Sequence, residues 1–134
     1  MNICAELFVA KMDTVNVHYT VSEREDKVII RVPFDGYSTN VVLDNDDDGT
    51  HPALRTVLEN CPDDKIADVI YVCNQLNMKF RWVKFYVDSD GDVMIEDDAI
   101  VSSENAGEEL LELVYRTASI IKEAKPSIMR AIYA

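Results

Sequence analysis

The sequence predicts an α+β domain spanning residues 1–134. An antiparallel sheet of about five to six strands carries its helices on one face, in the order α-β-β-β(-β)-α-β-β-α. Three observations lead there. Short stretches of alternating or continuous apolar residues are separated by turn residues, which is strand behaviour. Around residues 62–76, and again from residue 105 onward, apolar positions recur every three or four residues, which is helical. Most strands are joined by connections too short for a crossover, so neighbours pair antiparallel and the helices collect on one side.

Residues 3–12 predict a short amphipathic helix with Ile3, Leu7 and Phe8 on one side and Asn2 as its N-cap. Val15, Val17, Tyr19 and Val21 alternate with Asn16, His18 and Thr20, which predicts a half-buried strand. A charged turn at 22–26 leads to a second strand over 27–32, Pro33-Phe34-Asp35-Gly36 is turn chemistry, and 38–43 read as a third strand. A fourth follows the acidic tract, over 51–58. Pro62 suits a first helical position, with Asp63 and Asp64 at the positive end of the dipole. Ile66, Val69, Ile70, Cys73 and Leu76 form that helix's apolar side, and Asn77 is a left-handed stop. Asn105 with Glu108 resembles a capping box opening the last helix. Its seam is Leu110, Val114, Thr117, Ile121, Ala124 and Ile128, widened by Leu111, Leu113, Ala118 and Ile120, and Pro126 should bend or break it.

Between the two long helices, residues 80–98 read as a hairpin around Asp90-Gly91. A two-residue loop would pair Val87 with Met94 and mix charged and apolar residues on both faces. A three-residue loop, Ser89-Asp90-Gly91 with Gly91 left-handed at a bulge, pairs Asp88 with Asp92. It puts Val83, Phe85, Val87, Val93 and Ile95 on one face, and Trp82, Lys84, Tyr86, Met94 and Glu96 on the other. A one-residue slip swaps the faces, so the register that segregates them is favoured. The first face is core. The second carries Phe80, Trp82, Tyr86 and Met94 around a cross-strand Lys84–Glu96 pair. Trp, Tyr, Phe and Met are the types enriched at interface cores, and helices cover only one face of such a sheet.

Charge narrows the function. With 25 acidic residues against 13 Lys and Arg, the net charge is −12, and no basic cluster would offset repulsion from a phosphate backbone. Nucleic acid is not an expected partner. No apolar run approaches the length that crosses a bilayer, so neither is a membrane. Cys4, Cys61 and Cys73 are odd in number and lack a C-x-x-C motif, and the first residues do not read as a signal peptide. Reduced thiols in a cytoplasmic protein are expected.

Catalytic motifs are missing. His18 and His51 have no His or Cys partner at metal-ligand spacing, and no nucleophile elbow, phosphate loop or dinucleotide fingerprint appears. The expectation is a non-enzyme with no cofactor and no resident metal. Asp44, Asp46, Asp48 and Gly49 match the first half of an EF-hand loop, but its twelfth position is Arg55. Asp88, Asp90 and Asp92 crowd the hairpin turn, where Asp is also favoured for turn formation alone. A small-molecule or divalent-ion sensor using these acidic turns is the alternative function.

The combination of KFRWVKFYVDSDGDVMIEDDAI, an amphipathic helix and AKPSIMRAIY resembles the YbjN-like family, bacterial proteins labelled sensory transduction regulators with a type III secretion chaperone-like fold. The similarity is best from about Ala67 to the C-terminus. The N-terminal half departs more, and the tract at 44–49 is peculiar to this chain. The resemblance implies a homodimer able to hold an extended segment of a protein or peptide partner along its sheet, and it brings no catalytic residue with it. The expected function is therefore a chaperone-like or regulatory binding module, with Phe80, Trp82, Lys84, Tyr86 and Met94 as its partner-binding residues.

Overall fold

A computed structural model describes residues 1–134. Helix α1 (Ile3–Thr14) is followed by β1 (Thr20–Glu23), β2 (Lys27–Phe34), β3 (Tyr37–Asp44) and β4 (Ala53–Asn60). A single 3-10 turn, Asp63–Lys65, leads into α2 (Ile66–Lys79), and β5 (Val83–Val87), β6 (Asp92–Asp98) and α3 (Ala106–Tyr133) complete the chain. Six strands form one sheet in the order β1-β2-β3-β4-β6-β5, every neighbouring pair antiparallel. The α+β class and the element order are as the sequence predicts.

All three helices lie on one side. Val28, Ile30, Val32, Val41, Leu43 and Leu54 meet α1 and the first half of α3 in one apolar cluster. Leu58, Phe85, Val93 and Ile95 meet α2 and the second half of α3 in another. A buried polar seam lies between them: the Thr39 and Thr56 hydroxyls are 2.8 Å apart, and Thr117 Oγ1 donates to Asp97 Oδ2 at 2.7 Å. Among the helices, only α3 spans both clusters. Every residue of its expected seam is buried, as a wide stripe packed on a sheet requires. Where α3 crosses α1, Gly107 lets the backbones approach: a Cβ there would sit 2.9 Å from the Leu7 carbonyl oxygen.

Several boundaries differ from expectation, each for a local reason. Strand β1 begins at Thr20, not Val15, because α1 runs to Thr14 and Asn16 closes it with a left-handed backbone (φ 56°). Val15 and Val17 both donate their N–H to the Met12 carbonyl, and Val17 and Tyr19 still pack on the first cluster. The fourth strand sits two residues later than expected, at Ala53–Asn60. Pro126 does not break α3. Proline removes one helix bond, at a cost of about 3 kcal/mol. Ile121, Ala124, Ile128 and Ile132 are buried on either side, and about 1.5–3 kcal/mol for each large apolar side chain outweighs that loss. Asn105 starts α3 without capping it. Its Oδ1 accepts from Ser102 N–H at 2.8 Å and so closes the preceding turn. Asn2 does cap α1, accepting from Ala5 N–H at 2.9 Å.

Candidate functional site

The hairpin adopts the three-residue loop. Asp88 N–H donates to the Asp92 carbonyl at 2.9 Å, and Gly91 takes a φ of +79°. Phe85 stands opposite Ile95, Tyr86 opposite Met94 and Lys84 opposite Glu96. Val83, Phe85, Val93 and Ile95 therefore face the helices. Lys84, Tyr86, Met94 and Glu96 look out on the side of the sheet that no helix covers.

Glu96 is the polar centre of that open side. Tyr86 Oη donates to its Oε2 at 2.7 Å, Arg55 Nε lies 3.5 Å from Oε2, and Lys84 Nζ lies 3.7 Å from Oε1. The hydrogen bond to the Glu96 carboxylate holds the Tyr86 phenol above its ordinary pKa, and burial and the repulsion between two negative charges push the same way. Met94 occupies the same face between Tyr86 and Val57 on the flanking strands and is 8% exposed. Farther across, Ile29, Val42 and Met94 floor a trough of about 530 Å³ rimmed by Arg24, Arg31 and Arg55. No acidic residue lines it, in a chain of net charge −12. The strand parity that placed Tyr86 and Met94 would also have placed Ile29, Arg31, Val42 and Arg55 there. Extending the face argument from the hairpin to β2–β4 was the available signal.

Two of the expected residues lie elsewhere. Trp82 precedes β5 with a left-handed backbone (φ 75°), so the strand alternation stops at Val83. Its ring is 69% exposed but turned toward α3, with the Arg116 guanidinium 5.9 Å from the ring centroid. Phe80 packs on the helix side, its ring 6.2 Å from that of Phe85. These placements correct the expectation that both share the outer face with Tyr86.

The sheet's edge at β5 is occupied. Asn77, still within α2 and not a stop, accepts from Phe85 N–H at 2.7 Å and donates to the Phe85 carbonyl at 3.1 Å. A side-chain amide thus takes the place that a neighbouring strand's peptide would fill.

Behind Glu96, its neighbour Asp97 points into the core. Burial pushes its pKa up to about 6, against the opposing effects of the Thr117 hydroxyl and the Arg116 charge. Its Oδ1 is buried without a hydrogen-bond partner. The three cysteines are free and buried, and burial pushes Cys73 up to about 11, which makes it a poor nucleophile.

Elsewhere, the oxygens of Asp88, Asp90 and Asp92 lie within 4.8 Å of one another. Asp88 Oδ1 already accepts from the Asp90 and Asp92 N–H groups, and Asn60 Nδ2 donates to Asp92 Oδ1. In the other acidic turn, His51 Nδ1 meets both Asp47 Oδ2 at 3.0 Å and the Thr50 hydroxyl at 3.1 Å. Both contacts use one ring nitrogen, so this trio cannot relay a proton from hydroxyl to carboxylate. No helix is long and apolar enough to cross a membrane.

A model of the family described as "YbjN: Putative bacterial sensory transduction regulator" matches residues 7–128. None of the curated proteins matches the sequence. Among solved structures, the fold is similar to the Yersinia pestis type III secretion chaperone SycH, crystallised in complex with a stable fragment of YscM2. The TM-score is 0.53 at 10% identity, over 87% of this chain and 98% of that one.

Proposed function

We propose that this chain, which belongs to the YbjN family, is a non-enzymatic cytoplasmic binding module, chaperone-like or regulatory, that holds an extended segment of a protein partner on the open face of its sheet. One observation carries this reading: all three helices lie on one side, leaving a six-stranded face with an arginine-rimmed apolar trough uncovered. Apolar floor and basic rim together fit a segment that alternates apolar and acidic residues. Met94 forms part of the trough's floor, Tyr86 supplies contact area beside it, Lys84 supplies charge, and Phe80 supports the hairpin from the core side. The solved chaperone of similar fold, in complex with a protein fragment, is consistent with this use. The chain works as a homodimer, through the exposed side chains of Tyr71 and Met78 on α2 and of Trp82.

A photo-reactive residue at Asn40 should cross-link a partner in native cells. The captured segment, made as a peptide, should bind wild type and lose affinity in Arg31→Glu/Arg55→Glu. Equal binding by that double variant sinks the sheet-face reading. Light scattering should report a dimer that Met78→Glu dissociates, and a wild-type monomer removes the homodimer. A second reading, divalent-ion sensing at the Asp88–Asp90–Asp92 turn, rests on the convergence of those oxygens. A melting temperature unmoved by calcium ends it.

A further inference from the structure

The helix side holds a second concavity, where the C-terminal half of α3 passes over the end of the β2–β3 hairpin. It encloses about 450 Å³, within the size range of small-molecule sites. Phe34, Ile121 and Met129 give it apolar walls, and Pro126 closes one side.

Its polar groups converge. Tyr37 Oη is buried with no hydrogen bond of ordinary length, although a phenol so placed ordinarily finds one, and the polar group it meets is the Lys125 ammonium, whose pKa that interaction raises. The Lys125 ammonium stands 4.6 Å over the Tyr37 ring, and Lys122 lines the same hollow. Neither lysine forms an ion pair, in a chain where acidic residues outnumber basic ones 25 to 13. Asp35, on the exposed hairpin turn, is the one acidic residue of the lining, so two cations face one anion there. An apolar chamber with a donor hydroxyl and a cationic pair matches a molecule with a greasy body and an anionic head.

We propose that this hollow binds a small amphiphilic carboxylate, with its apolar body against Phe34, Ile121 and Met129 and its carboxylate between Lys122, Lys125 and the Tyr37 hydroxyl. The site lies on the opposite side of the sheet from the trough, so either assignment can fail without the other.

The test is calorimetric titration of the full chain with octanoate, and with octanol as its uncharged counterpart. Octanoate should bind and raise the melting temperature, octanol should bind more weakly, and Lys125→Met should cost roughly tenfold in affinity. Tyr37→Phe, which deletes only the oxygen, should weaken octanoate several-fold. Ala118→Met, which fills the hollow, should abolish binding in a protein that still melts cooperatively. Three results overturn the proposal: no octanoate binding to wild type, equal affinity for octanol, or wild-type affinity in Lys125→Met and Tyr37→Phe. Retained binding in a folded Ala118→Met chain overturns it as well.

Discussion

Glu96 and Asp97 are consecutive carboxylates on one strand, nearly equally hidden at 8% and 2% exposure, yet they live in opposite chemistry. Glu96 points to the open side and is met by a phenol, a guanidinium and an ammonium. Asp97 points into the seam between two apolar clusters and has one hydroxyl. Residues on a strand change faces at every step, so a single position decides whether a carboxylate organises a surface or strains a core. The same alternation separates Phe85 from Tyr86 across the hairpin. At this hairpin the open side is built to meet charge, and the core side to exclude it.

The largest expected effect is on the core side. Phe85→Ala should cost about 3–5 kcal/mol in denaturant unfolding, because Phe85 is a buried side chain between α2 and the sheet. Lys84→Ala, its neighbour on the other face, should change stability by less than about 1 kcal/mol. Comparable losses in both would erase the distinction between the faces.

Next comes Asp97. Its folded-state pKa of about 6 lies above the ordinary carboxylate value of 3.8, so the native state holds the proton more tightly than the unfolded chain. Stability from this group is present below pH 4 and is lost as pH rises toward and past 6. Relative to wild type, Asp97→Asn should therefore gain about 2–3 kcal/mol between pH 4 and pH 7. Unfolding midpoints at the two pH values check it, and a pH-independent difference refutes a raised pKa.

The smallest effect sharpens the open side. In Glu96→Gln the Tyr86 phenol loses its anionic neighbour, and its ultraviolet titration should move down toward that of an ordinary tyrosine. A titration that stays put means Glu96 does not govern Tyr86.

Legibility in the sequence followed how local each signal was. The hairpin register could be read because Asp90-Gly91 fixes the loop and segregation of the faces leaves one pairing. The α3 seam could be read because its burial repeats over many turns. Failures came where one backbone angle overrode a pattern. A left-handed Asn16 ended the alternation that began at Val15, and a left-handed Trp82 stopped face parity two residues short of Phe80. Asparagine can signal such a turn, but a bulky tryptophan with positive φ has no sequence signature. Pro126 was a true local signal that lost to burial on both sides of it. The trough's arginines were hidden by distance along the chain, since Arg24, Arg31 and Arg55 meet only after three strands have paired.

The amide of Asn77, seated against Phe85 at the β5 margin, bears on how such molecules can gather. With that border plugged, lateral growth has only the short β1 margin left to it. A ribbon that can be extended at one end accepts a single newcomer and then stops, so edge-to-edge joining yields a finite pair in place of a fibre.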